Sequence, residues 1–510
     1  MMKRLWKLIR CCLVVTGGMR ERGGGPGKLL MSAKYMIHDM KPIITTLALA
    51  ISLAGSAQVK QSVPLKFGAQ TTGKRTDEAM RQWRSNRFGQ FIHWGLYAIP
   101  GGVWNGKTYN YAAEFLKSSA RIPTSTWDSL MYQFNPQQFN ARAWAKMAKQ
   151  LGAKYMTITT KHHEGFCLWP SKFTDFNVGN TPFRRDILKE LVEAYNAEGI
   201  DVNFYYSVLD WHHPDWRYDI KSPEDSIAFR RFLDFAGNQL KELATNYPTV
   251  KGFWFDGTWD ASIKKNGWWT LEMEQMLKSV RPGMVVNSRL RADDFGKRHF
   301  DSNNQLMGDY ESGYERRLPN ATKDLQVTKW DWEACMTVPE NQWGYHKDWS
   351  VSHVKSPLEL LEMVVHATSM GGNFLLNFGP DGNGGFRKEE RHIVETIGKW
   401  MEKNGNVIWN CGYAGWEKQD WGYFTRPNGS TSVNMIVFNR PVSGLLKVKV
   451  TNGVKILAAR SGDTAFKVEE IAKNEYLIHH TVKKMTEPQV IVLVTDTSAQ
   501  NTDRYQDAKT

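Results

Sequence analysis

Four apolar runs in this chain end in side chains that could bind or attack a small polar molecule. Val250-Lys-Gly-Phe-Trp-Phe-Asp256-Gly257 ends in a carboxylate. Residues 88–95 lead to His93, residues 153–165 to His162, His163 and Glu164, and residues 202–207 to Tyr206 and Ser207. In a parallel α/β barrel the reacting groups sit where strands end, at the C-terminal face. Imidazoles, a phenol and a carboxylate are therefore expected around one hollow.

Several tryptophans stand beside these strand ends, among them Trp94, Trp104, Trp169, Trp211, Trp254, Trp259, Trp332 and Trp343. Flat apolar rings interleaved with acids and imidazoles suit a sugar, which offers a C–H face and a set of hydroxyls. The alternative for any one tryptophan is that it fills the barrel. Cleaving a glycosidic bond takes two carboxyl groups, one at the anomeric carbon and one on the departing oxygen. Asp256 is the candidate for the first role. The second is expected on a mobile loop, where Asp309, Glu311 and Glu315 are the candidates and spacing does not rank them. His162 and His163 also admit a metal reading, but neighbouring residues on a strand point to opposite faces. At the strand end, where the chain turns, both could instead reach a ligand's hydroxyls. No glycine pattern opens a helix as a phosphate loop does, and no Gly-x-Ser-x-Gly elbow is present. No cofactor or metal is expected.

The elements that must position these groups alternate. Helical periodicity over 141–151, 185–197, 226–244 and 358–369 separates the apolar runs, which extend to 284–289 and 372–380. That order predicts an α/β domain with a parallel sheet over residues 80–410. Residues 291–348 show no clear alternation and read as active-site loops. From 411 to 499 short β-rich runs between Gly, Asn and Pro turns predict an all-β sandwich, followed by a polar tail at 500–510. Residues 58–79 read as a linker, with a short helix beginning at Glu78.

The net charge of +14 would suit a nucleic-acid partner if it were concentrated. Residues 1–57 hold nine of the 66 basic residues and two of the 52 acidic ones, and the rest contains no basic block, which argues against nucleic acid. That same segment carries Lys41, an apolar run at 43–54 and Gly55-Ser56-Ala57, the pattern of a secretory signal cleaved near Ala57. The run is short for a membrane span. The expected product is exported, periplasmic or secreted, without a membrane span after cleavage, and Met36 or Met40 would place the signal at the chain start. Cys167, Cys335 and Cys411 are too few and too widely spaced for a disulfide framework or a zinc set. Oligomeric state is not legible.

With these residues assembled, the chain resembles the α-L-fucosidases of glycoside hydrolase family 29. The resemblance rests on RFGQFIHWGLYAIPGGVW (87–104), KHHEGFCLWPS (161–171), YYSVLDWHHPD (205–215), GFWFDG (252–257), WEACMTVPENQWGYH (332–346) and GGNFLLNFGPDGNG (371–384). It implies a (β/α)8-like TIM barrel over residues 80–410 with a C-terminal β-sandwich, no metal, and a retaining exo-α-L-fucosidase acting on fucosylated oligosaccharides or glycoconjugates. A non-catalytic fucose-binding protein on the same barrel is the alternative. By motif, Asp256 corresponds to the family's nucleophile, and His93, His162, His163, Trp169 and Tyr206 to its fucose-binding residues, with Arg289 beside them and Trp343 in the same set. The acid/base falls on Glu315, with Glu311 as backup. Glu114 matches a Glu-Trp pair in which Phe115 replaces the tryptophan.

Overall fold

The computed structural model describes residues 65–69 and 75–496, apart from 321–322, 351, 452 and 482–484. The expected leader and tail lie outside these residues. Eight parallel strands form the central sheet: β1 Phe88–Ile92, β2 Tyr155–Lys161, β3 Asp201–Ser207, β4 Gly252–Asp256, β5 Val285–Val286, β6 Glu311–Glu315, β7 Trp332–Met336 and β8 Asn373–Phe378. Their order is β5-β4-β3-β2-β1-β8-β7-β6. The Asp309 and Ser288 N–H groups donate to the Val286 and Tyr310 carbonyls at 2.8 and 2.9 Å, and this seam joins β5 to β6 and closes the barrel.

Helices lie outside: α1 Glu78–Asn86, α2 Ala141–Leu151, α3 Ile187–Ala197, α4 Pro223–Asn246, α5 Gly267–Val280, α6 Pro357–Ser369 and α7 Lys388–Asn404. Their ends are written locally. Asn140 caps α2 by accepting from the Ala143 N–H, Gly152 at φ 88° stops it, and Trp144, Ala145, Ala148 and Leu151 give it one buried stripe. Ser356, Pro357 and Glu359 form a capping box that starts α6. No long helix follows β5 or β6 among the described residues; turns and loops make those connections. Residues 291–348, expected to be loops throughout, thus contain two barrel strands. Their sequences, Glu-Ser-Gly-Tyr-Glu and Trp-Glu-Ala-Cys-Met, lack the continuous apolar run by which a buried parallel strand is recognised.

Inside the barrel, Phe91, Tyr155, Tyr205, Trp254, Val285, Cys335, Trp343 and Leu375 pack on one another, and Met80 and Trp83 of α1 close the lower end. Between strands and helices lies the larger core, built from the opposite face of the same strands, including Ile158, Phe204, Phe253 and Leu376. The linker is partly docked: the Lys66 and Phe67 N–H groups donate to Asp294, and the Arg291 guanidinium donates to the Phe67 and Gly68 carbonyls.

From Cys411 onward the chain forms a six-stranded and a three-stranded antiparallel sheet. Phe424, Met435, Val448, Ile478 and Leu493 lie in the core of this sandwich. Tyr423 and Ile436, however, belong to the barrel's core cluster, so the two parts share one apolar interface. Arg87, at the lower end of β1, ties that seam by donating to the Cys411 and Gly371 carbonyls. Trp400 of α7 adds a bond to the Pro488 carbonyl at 2.8 Å.

Candidate active site

A hollow of about 120 Å³, open to solvent, lies at the C-terminal ends of the strands. Of the side chains expected there, His93, Glu114, His162, His163, Asp256, Arg289, Glu315 and Trp343 line it. Asp256 closes β4 on the barrel's inner face, one step of the alternation beyond Trp254. Gly257 follows at φ 73°, where any Cβ would also come within 2.6 Å of the Leu209 N–H nitrogen.

Arg289 organises the carboxylates. Its Nη1 donates to Asp256 Oδ1 at 2.9 Å, its Nη2 to Glu315 Oε2 at 2.8 Å, and its Nε to the Ser312 carbonyl. The guanidinium lies 4.6 Å from the Trp254 ring centroid. One planar fork therefore spans both acids, which favours the short separation, about 5–5.5 Å, of a retaining pair. Burial pushes the Asp256 carboxyl upward, but the Arg289 guanidinium outweighs it and holds it below the usual range. Asp256 is thus ionised. The Tyr205 hydroxyl donates to its second oxygen at 3.1 Å.

The imidazoles are neutral, because burial lowers His93 to about 3, His163 to about 4 and His162 well below its usual value. His93 Nδ1 meets Asn377 Oδ1 at 2.7 Å, while the Asn377 amide donates to the Trp343 carbonyl. That network makes Nδ1 the protonated nitrogen and leaves Nε2 as an acceptor. His163 behaves alike: Ser207 spends its hydroxyl hydrogen on the Leu209 carbonyl, so His163 Nδ1 donates to Ser207 at 2.6 Å. His163 Nε2 then stands as an acceptor 3.9 Å from Asp256 Oδ2. The His162 and His163 rings are 4.2 Å apart because β2 ends at Lys161 and the chain turns, so both face the hollow. Glu114 accepts from the Gly344 N–H at 2.9 Å, and its other oxygen has no hydrogen-bond partner. Burial raises its carboxyl to about 7.

Two expected ligand contacts are corrected. Tyr206 points outward, where its hydroxyl bonds Gln239 of α4 at 2.8 Å and Lys161 lies against its ring. Tyr205 takes the inward place: Asn203, Tyr205 and Ser207 share the polar, inner face of β3, and Val202, Phe204 and Tyr206 the outer one. Trp169 is fully buried away from the hollow, donating to Glu242 of α4 at 2.8 Å. Ser171 and the Lys172 N–H reach the same carboxylate, so Trp169 pins the segment after β2 to α4.

The second-carboxyl candidates also separate. Asp309 belongs to the barrel seam, paired with Lys278 and Arg75 and accepting from the Val286 N–H. Glu311 opens β6 and is buried against His299 and Ser288. Glu315 ends β6 in the hollow, so it is borne on a strand end and not on a loop. His212 pairs with Asp128, and His213 packs on Phe232 and Phe235; neither lines the hollow. Sequence reasoning also missed Phe91, whose place on the inner face of β1 was readable from its two-residue spacing from His93.

Comparison with known proteins agrees with this geometry. The family model described as Alpha-L-fucosidase matches residues 54–406, more than half of the chain. A GH29 α-L-fucosidase of Bacteroides thetaiotaomicron, solved as a trapped covalent intermediate with 2-fluoro-fucosyl fluoride, is 62% identical. The match covers 85% of this chain and all of that one, with a TM-score of 0.84. Isoenzyme 1 of Paenibacillus thiaminolyticus is 30% identical over 82% of this chain and 99% of its own, with a TM-score of 0.69. Human plasma α-L-fucosidase is 31% identical, covering 71% of this chain and 76% of its own. The chain belongs to the α-L-fucosidases of glycoside hydrolase family 29.

Proposed function

We propose that this retaining exo-α-L-fucosidase removes terminal α-L-fucosyl units from glycans with Asp256 as nucleophile and Glu315 as acid/base. The observation that carries the assignment is the Arg289 fork, which places one ionised, buried carboxylate and one partly open one around the same hollow. Asp256 attacks the anomeric carbon while Glu315 gives its proton to the departing oxygen, forming a covalent fucosyl-enzyme. Water, deprotonated by Glu315, then attacks that carbon and releases L-fucose with configuration retained. The neutral imidazoles of His93 and His163 accept hydrogen bonds from the sugar's hydroxyls and orient it, and Tyr205 steadies the charge on Asp256. A covalent intermediate trapped in a 62% identical relative supports this reading.

The test is Asp256→Ala, for which turnover falls by several orders of magnitude with the fold intact and azide restores product formation. Turnover like that of the wild type removes Asp256 from the role. Glu315→Ala and Glu311→Ala separate the acid/base assignment: Glu315→Ala loses far more activity on a natural glycan than on an aryl fucoside with a good leaving group. Glu311→Ala shows no such dependence on the leaving group.

Export is proposed on the apolar run at 43–54 followed by Gly55-Ser56-Ala57. Sequencing of the mature protein is expected to begin near Gln58, and a terminus at Met1 overturns it.

A further inference from the structure

The hollow has an inner part built from buried groups and a mouth where three lining side chains remain open. Tyr111 is 52% and Trp259 36% exposed, and the side chain of Arg316 keeps 33% of its surface. None of the three belongs to the set proposed to hold the fucosyl unit or to the carboxyl pair.

The two aromatics reach the reacting centre through other rings, Trp259 through His163 and Tyr111 through Phe115. The Trp259 ring meets His163 at 5.3 Å and 88°. Phe115 meets the same imidazole at 5.3 Å and 75°, and Tyr111 meets Phe115 at 5.8 Å and 71°. A chain of rings thus leads from the nucleophile's neighbour to solvent in two directions. Arg316 follows Glu315 directly, with its Nε 3.8 Å from Glu315 Oε1 and its Nη1 donating to Asn341 Oδ1, while part of the guanidinium side chain stays open to the mouth. Arg316, Tyr111 and Trp259 thus line the same hollow as the carboxyl that serves the departing oxygen.

The wider surface carries the same bias. Among the described residues the strongly exposed aromatics are Tyr111, Tyr132, Phe173, Tyr218, Trp259 and Phe295, and all six lie on segments that follow β1 to β5. Those segments make up the face with the hollow. Among the described residues of the sandwich the exposed large apolar side chains are aliphatic, such as Val442, Leu457 and Ile471. Aromatic area left in water has an unfavourable hydration free energy that a pyranose C–H face can relieve.

We propose that Tyr111 and Trp259 form the subsite for the sugar ring of the leaving group, with Arg316 donating to one of its hydroxyls, and that they set the preference for glycan over small aglycones. The proposal rests on the fucosidase reading given above. Its test compares α-L-fucosyl fluoride, whose leaving group is a single ion and leaves this subsite empty, with a fucosylated disaccharide. Wild-type hydrolysis of the fluoride reports on the catalytic reading alone. Tyr111→Ala and Trp259→Ala are each expected to lower kcat/KM on the disaccharide about tenfold, while the fluoride stays within about twofold. Trp259→Phe recovers most of the loss. Tyr111, half in solvent, can be truncated without threatening the fold, so its variant decides even if Trp259→Ala is unstable. Equal losses on both substrates, or no loss on the disaccharide, overturn the proposal.

Discussion

Two adjacent tyrosines on β3 divide site from scaffold by a single step of strand alternation. Tyr205 donates to the Asp256 carboxylate, and Tyr206 bonds Gln239 on the helix side. Tyr205→Phe removes a hydrogen bond to a charged acceptor, worth about 1.5–3 kcal/mol, and is expected to lower kcat/KM about 10- to 100-fold. Tyr206→Phe leaves both kinetic constants unchanged and lowers the melting temperature, so steady-state kinetics and thermal unfolding of the pair separate the two roles. Arg289 allows a pH test. Its guanidinium holds the Asp256 carboxyl down against burial. In Arg289→Met burial loses its main opponent, Asp256 ionises only at higher pH, and the acid limb of the kcat/KM profile moves upward. The strand-end polar residues were legible because each closes an apolar run. Which tyrosine faces inward was readable too, since Asn203 and Ser207 mark the polar face of β3. Trp169 was not: its contact, Glu242, lies 73 positions away in the chain on α4.

At the scale of elements, the connections after β1, β2 and β3 are fastened by buried ionisable groups. Glu164 accepts from the Leu96 N–H at 2.6 Å and from Trp127 Nε1 at 2.8 Å, tying the segments after β1 and β2 together. Gly95 sits where a Cβ would collide with that carboxyl. Burial raises Glu164 from 4.5 to about 8. The folded state therefore holds its proton more tightly than the unfolded chain, and this contribution to stability is complete below about pH 4.5 and lost as pH rises through 8. Glu164→Gln leaves one of the two N–H donors unmatched and is expected to cost about 1–3 kcal/mol at pH 5. The gap to wild type narrows toward pH 8 in denaturant titrations. Beside it, Lys161 and Asp210 form a fully buried pair at 2.8 Å, and Asp210 also accepts from the His212 and His213 N–H groups. Lys161→Met isolates that carboxylate and should cost about 3–5 kcal/mol, measurable by chemical unfolding. Helices with their own caps, such as α2 and α6, were readable from sequence to within a residue or two. β6 and β7 were not, because a strand sheltered by the barrel's closure can afford Ser, Gly and Glu where an apolar run was sought.

Over the whole molecule, the sandwich docks at the lower end of the barrel and along α6 and α7, through Arg87, Tyr423 and Trp400. None of its described residues lines the hollow. The change in texture near residue 410 announced this second part, but not that its Tyr423 and Ile436 would complete the barrel's own core. The barrel is also unevenly clad. Asp256 stands on β4, backed by α4 and α5, whereas Glu315 stands on β6, with no long helix on either connection among the described residues. Amide protons on the two sides should exchange with deuterium at different rates, those of residues 311–315 well before those of 252–256. Mass spectrometry of peptic fragments would show it. The partner that must give up and retake a proton would then ride on the side of the wall with the lower opening energy, and the one that bonds carbon on the side that yields last.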